Sequence, residues 1–165
     1  MNDMMDLAAR VGRALQAKGL LLATAESCTG GGVSQSITEI AGSSEWFDCG
    51  FITYSNASKT ELLDVPAALL AQFGAVSEEV AAAMAEGALA NSNAHVALST
   101  TGIAGPGGAV PGKPVGTVCF GWSIERNNHQ HTFTERLVYQ GDRQAVRQQT
   151  IAHALQGLLR FIEQY

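Results

Sequence analysis

Residues 20–33 read LLLATAESCTGGGV, an apolar run that passes through a short polar segment into three consecutive glycines. The apolar part, residues 20–25, lacks polar alternation, which is typical of a strand covered on both faces of a sheet. A helical pattern at Val33, Ile37 and Ile40 follows the glycines, and Gly42 ends it. Open α/β sheets bind their ligands at such strand-to-helix turns. The segment therefore predicts an α/β fold and a site within it.

The rest of the chain continues this alternation of strands and helices. A helix over residues 7–15 stops at Gly19, and further strands are predicted at residues 47–54, 96–101, 117–124 and 132–139. The last two strands are joined by a hairpin-like turn. Further helices are predicted to begin near Ser55, Pro66, Ser77 and Asp142. We expect an α/β protein, a single three-layer α/β/α domain over residues 1–165 with a mixed, mostly parallel sheet of about five strands.

Composition excludes several classes of protein. Of the 165 residues, 46% are hydrophobic and 15% are charged, so the chain can form a full core and is not disordered. The net charge of −5 argues against nucleic-acid binding, which needs a basic face. No apolar run approaches the roughly 18 residues of a membrane helix, and the acidic N-terminus is no secretory signal. Three cysteines without paired spacing fit free thiols in a reducing compartment, so a cytoplasmic location is expected.

Ser27 is a candidate nucleophile because it lies between a strand and a glycine-led helix. A hydroxyl at this point lies near free backbone N–H groups and the positive end of a helix dipole. The N–H groups of Gly30 and Gly31 could form an oxyanion hole for a reacting carbonyl. The alternative is that Ser27 only caps the helix while the glycines allow a tight turn. This segment by itself leaves both interpretations open.

A serine nucleophile needs a base, and none of the four histidines is predicted in a strand-end loop with Ser27. Lys59 follows the second predicted strand, and it would reach the same sheet edge as Ser27 if the first two strands are parallel neighbours. A lysine acts as a base near neutral pH only where its pKa falls well below about 10.4. The alternative is a solvated lysine on a helix surface. The spacing does not decide between them.

Five motifs in register carry a resemblance to a known family. They are AESCTGG at residues 25–31, TYSN at residues 53–56 with Lys59 after it, GAVS at residues 74–77, GIAGP at residues 102–106 and KPVGT at residues 113–117. Together they resemble the CinA C-terminal domain family, the nicotinamide-nucleotide amidases, over residues 7–161. The chain looks like the stand-alone form. The resemblance implies hydrolysis of the carboxamide of nicotinamide mononucleotide to nicotinate mononucleotide and ammonia, in pyridine nucleotide recycling, with no cofactor and no metal.

The resemblance also assigns roles to residues. It implies that Ser27 is the nucleophile, that Lys59 is its base, that Tyr54 orients the pair, and that Thr101 contacts the substrate. The same motifs place a further set in the binding site: Thr29, Gly30, Gly31, Ser55, Asn56, Gly102, Ala104 and Gly105.

The 5′-phosphate of such a substrate needs a binding site of its own. Residues 102–108 can present several N–H donors as an anion nest. The start of the last helix adds Arg143, assigned first, and Arg147, assigned second, as phosphate ligands. The alternative for both arginines is a solvated helix face.

Two other functions remain open, a catalytically silent nucleotide-binding or interaction module and an amidase of a related nucleotide amide. The expected partner is the small-molecule substrate, with neither nucleic acid nor membrane. A homodimer or larger homo-oligomer is also expected, because the chain is apolar and Trp46 and its neighbours read as exposed.

Overall fold

A computed structural model describes residues 2–165. Its helices and strands follow one another in the predicted alternation, with one extra turn of 3₁₀ helix at Ser43–Glu45. The helices are α1 Asp3–Lys18, α2 Gly32–Thr38, α3 Asn56–Leu63, α4 Ala67–Phe73, α5 Glu78–Ala90 and α6 Arg143–Ile162. The strands are β1 Leu22–Glu26, β2 Phe47–Ile52, β3 Val96–Gly102, β4 Thr117–Arg126 and β5 His129–Val138.

The five strands form one sheet in the order β2-β1-β3-β4-β5. Strand β1 pairs in parallel with β2 and β3, whereas β4 is antiparallel to both β3 and β5. Four strands therefore point the same way and β4 alone runs against them, which confirms the mixed, mostly parallel sheet. The ends of β1, β2 and β3 meet at one edge, because parallel neighbours end together.

Helices cover both faces of the sheet and complete the three layers. On one face, α1, α2 and α6 pack against the sheet around residues such as Leu15, Ile37 and Leu155. On the other face, α3, α4 and α5 bury side chains such as Leu63 and Met84. All five residues of β1 are buried, since this strand lies inside the sheet and under both helical layers. The predicted α/β/α architecture is confirmed.

Local signals set the helix ends as the sequence predicts. Gly19 ends α1 in the left-handed region at φ 64°. The side chains of Ser55, Ser77 and Asp142 each accept a hydrogen bond from an N–H of the first turn of α3, α5 and α6, respectively. The Ser55 cap turns the chain back directly after β2, and this reversal carries Lys59 towards the sheet edge.

Trp46 is a core residue and does not itself form part of an exposed aromatic surface. Its side chain is buried, and its indole ring lies over Gly12 of α1 so closely that a methyl group there would come within 2.6 Å of the ring. A homo-oligomer stays a prediction, now without this residue to support it. Within residues 2–165, no helix has the length and apolar character needed to cross a bilayer.

Candidate active site

A cavity of about 250 Å³ opens at the edge where β1, β2 and β3 end. This is where open α/β sheets bind ligands. Nine of the predicted site residues line it: Ser27, Tyr54, Asn56, Lys59, Thr101, Gly102, Ala104, Gly105 and Arg143. The sequence motifs, separated by up to about a hundred positions, therefore converge on one cavity.

Ser27 and Lys59 meet at the floor of this cavity, with Lys59 Nζ 3.0 Å from Ser27 Oγ. The sheet fixes both ends of the contact. The Ser27 N–H donates to the Thr100 carbonyl at 3.0 Å, and the Thr53 N–H donates to the Glu26 carbonyl at 2.9 Å. The parallel pairing of β1 with β2 thus places the residues after each strand side by side, as the sequence predicts.

Lys59 is not a surface lysine, since its side chain is only 1% exposed. Burial disfavours the charged ammonium, so the pKa of Lys59 is lowered from its ordinary 10.5. A negative charge on the neighbouring Cys28 would oppose this shift. Burial, however, raises the pKa of the Cys28 thiol to about 12, and the thiol therefore stays neutral near pH 7. The solvated interpretation of Lys59 is wrong, and burial shifts its titration towards the neutral amine.

Lys59 Nζ has three oxygen partners, so an ammonium could donate to all three and a neutral amine to two of them. Its Nζ lies 2.8 Å from the Thr53 carbonyl oxygen and 3.2 Å from the Tyr54 carbonyl oxygen, both of which only accept. A neutral amine has two hydrogens and one lone pair. Both hydrogens can be donated to these carbonyls, which leaves the lone pair to accept the Ser27 O–H. This arrangement can withdraw the proton of Ser27.

Ser27 does not cap α2, because the carboxylate of Glu26 does so instead. Glu26 is fully buried and accepts from the N–H groups of Val33 and Ser34 at 2.8 and 3.0 Å. It also accepts from the hydroxyls of Thr29 and Ser34 at 2.6 and 2.7 Å. The positive end of α2 is therefore used by Glu26, and the expectation that it faces the reacting carbonyl is wrong. A strand-end glutamate seven residues before Val33 was the signal for this cap.

The predicted oxyanion donors also differ from those at the cavity. The N–H of Gly30 donates to the Ser27 carbonyl at 3.1 Å, and neither Gly30 nor Gly31 lines the cavity. Their positive φ values, 59° and 101°, make a tight turn into α2. The N–H of Cys28, on the cavity wall, makes no hydrogen bond to another residue within residues 2–165.

Tyr54 does not contact the Ser27–Lys59 pair through its side chain. The ring is 63% exposed, and its hydroxyl accepts from Arg143 Nη2 at 3.2 Å. The main-chain carbonyl of Tyr54 is the group that contacts Lys59. Arg143 also donates from Nη1 to the Gly105 carbonyl at 2.8 Å, which holds a cation at the cavity mouth. The predicted orienting role of the Tyr54 side chain is wrong, because the ring points to the mouth.

Three further predicted residues, Thr29, Ser55 and Arg147, do not line the cavity. Thr29 is fully buried, and its hydroxyl contacts Glu26 and, at 2.8 Å, Thr100. Ser55 is occupied as the cap of α3. Arg147 donates from Nε to the Cys28 carbonyl at 3.1 Å and from Nη2 to the Thr29 carbonyl at 3.2 Å. The three side chains are thus engaged within the protein, and their contact with substrate stays a prediction.

Thr101 lines the cavity, but its hydroxyl is engaged within the protein. It donates to the Ala75 carbonyl at 2.8 Å, and it is 1% exposed. This bond brings Ala75 and Val76 into the wall, where the sequence reasoning did not place them. The GAVS motif at residues 74–77 was the available signal, because it appears among the family motifs without a role.

The loop after β3 can bind an anion. The N–H groups of Ala104, Gly105, Gly107 and Gly108 make no hydrogen bond to another residue within residues 2–165. Gly105 and Gly108 have φ values of 86° and 97°, a conformation that lets successive N–H groups point into one concavity. Arg143 adds a cation to the same rim. The rim therefore provides N–H donors and positive charge opposite the Ser27–Lys59 pair.

Comparison with known proteins finds relatives of this chain over nearly its whole length. The sequence pattern of the CinA C-terminal domain matches residues 4–162. The nicotinamide-nucleotide amidohydrolase PncC of Pseudomonas putida is 49% identical over 159 residues, covering 96% of this chain and 97% of that protein. The protein of the same name from Escherichia coli strain K12 is 50% identical over 157 residues, covering 95% and 93%. The crystal structure of a competence-damaged protein (CinA) superfamily protein from Klebsiella pneumoniae 700603 superposes with a TM-score of 0.93 at 36% identity, covering 99% of this chain and 100% of that one.

Proposed function

The chain belongs to the CinA C-terminal domain family, and from this premise we propose that it hydrolyses the carboxamide of nicotinamide mononucleotide. The products are nicotinate mononucleotide and ammonia, and the reaction would recycle pyridine nucleotides in the cytoplasm. Two relatives at about half identity carry the name nicotinamide-nucleotide amidohydrolase. The observation that carries the proposal is the buried contact of 3.0 Å between Lys59 Nζ and Ser27 Oγ.

Acylation begins with neutral Lys59. Its lone pair takes the hydroxyl proton of Ser27 as Oγ attacks the amide carbon. The tetrahedral intermediate collapses when the resulting ammonium of Lys59 gives that proton to the departing nitrogen. Ammonia leaves, and Ser27 holds the nicotinoyl group of the nucleotide as an ester. The positively charged pyridinium ring withdraws electrons from the carboxamide, which makes the amide carbon easier to attack.

Deacylation uses the same pair in reverse order. A water molecule enters the position that ammonia has left, Lys59 takes one of its protons, and the hydroxide attacks the ester carbon. The proton returns to Ser27 Oγ as the C–O bond breaks, and nicotinate mononucleotide is released. In both steps negative charge develops on the carbonyl oxygen, and the Cys28 N–H, which bonds to no other residue within residues 2–165, would act as an oxyanion donor.

The rim of the cavity would orient the nucleotide. Arg143 and the N–H groups of Ala104, Gly105, Gly107 and Gly108 would form an anion site for the 5′-phosphate, while Asn56 can contact the ribose or the amide. Two contacts at opposite ends of a ligand fix the amide carbon over Ser27 better than either contact would alone. We therefore expect the enzyme to prefer the nucleotide over nicotinamide riboside and free nicotinamide.

The test is ammonia release from nicotinamide mononucleotide by the wild type and by Ser27→Ala. Ser44→Ala is a matched control, because Ser44 is exposed on the 3₁₀ turn. We expect Ser27→Ala to lose at least about 1,000-fold in kcat and Ser44→Ala to be unaffected. Equal release by the wild type and Ser27→Ala would remove Ser27 as the nucleophile. No release by the wild type would favour a catalytically silent module.

A further inference from the structure

The two arginines at the start of α6 are divided between two tasks. Arg143 and Arg147 are four residues apart and so lie on the same face of the helix, one turn from each other. Arg143 lines the cavity, whereas Arg147 does not. The Arg147 guanidinium instead spans two consecutive main-chain carbonyls, those of Cys28 and Thr29, at 3.1 and 3.2 Å. These carbonyls directly follow Ser27.

The segment that Arg147 holds is also restrained at Thr29, whose buried hydroxyl bonds to Glu26 and Thr100, but its two glycines are less confined. Gly30 and Gly31 both have positive φ and no side chain to pack, and Gly30 is exposed. Glycine is the residue with the greatest backbone freedom, so a turn built on two of them is intrinsically mobile. The β1 side of the turn is fixed by the bond from the Ser27 N–H to Thr100. Within residues 2–165, the Cys28 carbonyl accepts a hydrogen bond from Arg147 alone, so this peptide group is restrained from a different helix.

At the N-terminus of α2, the Gly32 N–H donates to the Thr29 carbonyl at 3.0 Å, whereas no N–H of α2 bonds to the Cys28 carbonyl within residues 2–165. The buried Glu26 carboxylate takes the first-turn N–H groups of Val33 and Ser34. The carbonyls of Cys28 and Thr29 face Arg147, and because a trans peptide is planar their partner N–H groups are fixed at the same time. Arg147 also contributes positive charge here, since it is among the groups that oppose the burial-driven rise in the pKa of Cys28.

We propose that Arg147 is a positioning residue, which holds the main chain after Ser27 so that Oγ stays within reach of Lys59, and that it is not a phosphate ligand. This inference rests on the proposed amidase function. Removing the guanidinium would let residues 28–31 move without emptying the anion site at Arg143. The loss would therefore appear in kcat, because misplacement of the nucleophile by about 1 Å can reduce the rate about 100-fold.

The experiment compares Arg147→Met with Arg143→Met, which differ only in which arginine loses its guanidinium. For Arg147→Met we expect kcat to fall by about 10- to 100-fold and KM for nicotinamide mononucleotide to change by less than about threefold. For Arg143→Met we expect KM, and the Kd of nicotinate mononucleotide measured by calorimetry, to rise by about tenfold or more. Arg160→Met, at the exposed far end of the same helix, should match the wild type.

Two further readouts separate positioning from general damage. Arg147→Lys keeps the charge but can contact only one carbonyl at a time, so its kcat should lie between those of the wild type and Arg147→Met. Guanidinium ion at millimolar concentration should partly restore the kcat of Arg147→Ala. Wild-type kcat in Arg147→Met, or a tenfold rise in KM with kcat intact, would overturn the proposal.

Amide hydrogen exchange tests the same point without turnover. We expect exchange at residues 28–31 to be faster in Arg147→Met than in Arg143→Met, while exchange in β1 is unchanged. Equal exchange in the two variants would overturn the positioning role. If the wild type releases no ammonia from nicotinamide mononucleotide, the proposed function fails, and the exchange result still decides whether Arg147 holds this segment.

Discussion

Gly87 links the packing of two helices to the geometry of the candidate active site. It lies in α5 against the end of α3, and a Cβ built on it would come within 1.9 Å of the Leu63 carbonyl oxygen. Leu63 follows Lys59 by one helical turn in α3. We therefore expect Gly87→Ala to push α3 away from α5 and to move Lys59 relative to Ser27.

The size of the displacement follows from the contact. A Cβ essentially never lies under 3.0 Å from another heavy atom, so the gap of 1.9 Å must open by more than 1 Å. The obstacle is a backbone carbonyl, which no change of rotamer can remove. A shift of this size would stretch the contact of 3.0 Å between Lys59 Nζ and Ser27 Oγ beyond hydrogen-bond length. We expect kcat to fall by about 10- to 100-fold.

Stability should fall as well, although less than the clash alone implies. Overpacking a buried contact destabilises a protein by about 1–3 kcal/mol, while replacing glycine by alanine within a helix returns about 1 kcal/mol. For a chain of this size, 1 kcal/mol corresponds to a change in Tm of roughly 2–4 °C. The net effect is a decrease in Tm of a few degrees, so the variant should be folded at 25 °C.

The assay is ammonia release under saturating substrate, together with thermal unfolding of the same samples. Ala90→Gly, at the exposed end of α5, is the control, because it weakens the helix without touching α3. It should lower Tm slightly and leave kcat unchanged. A Gly87→Ala enzyme with wild-type kcat would show that Lys59 is not coupled to this packing and would refute the reasoning.

Three other predictions concern protonation, packing and thiol reactivity. Because only the neutral amine of Lys59 can act as base and burial lowers its pKa below 10.5, kcat/KM measured against pH should rise to a plateau below that value. The unfolded chain binds more protons between the two pKa values, so the free energy of unfolding should also rise with pH there, and Lys59→Met should lose this slope. Gly157→Ala, whose Cβ would lie 2.2 Å from the Trp122 ring, should lower Tm by several degrees and leave KM unchanged. Iodoacetamide at pH 8, followed by mass spectrometry, should modify the half-buried Cys49 well before Cys28, whose pKa is raised by burial to about 12, and activity should survive.

The order of the elements and the meeting of Ser27 with Lys59 could be predicted from the sequence. Strand and helix patterns are local, and the apolar run before Glu26 leaves little choice of conformation. The encounter of the two side chains required only one further assumption, that β1 and β2 are parallel neighbours. Sheet geometry then brings whatever follows each strand to the same edge.

The residues that the structure places differently are those whose roles depend on where a group points and on which neighbour binds it first. Tyr54 is at the predicted place, but its ring points out to Arg143 while its carbonyl points in to Lys59. The N–H groups of α2 are at the predicted place, but the Glu26 carboxylate reaches them first. Sequence spacing places a residue at an edge, whereas the choice among nearby partners is made by packing in three dimensions.

The two carbonyls that face Lys59 also restrict which amides can react. When the neutral amine donates both hydrogens to the main chain after β2, its lone pair points at Ser27 Oγ. The proton it takes must be handed back along that same line, so the leaving nitrogen has to occupy the space just above the serine oxygen. An N-alkyl group on that nitrogen would meet the buried wall around the lysine. Under the proposed mechanism, the enzyme should therefore cleave primary carboxamides and leave their N-methylated counterparts intact.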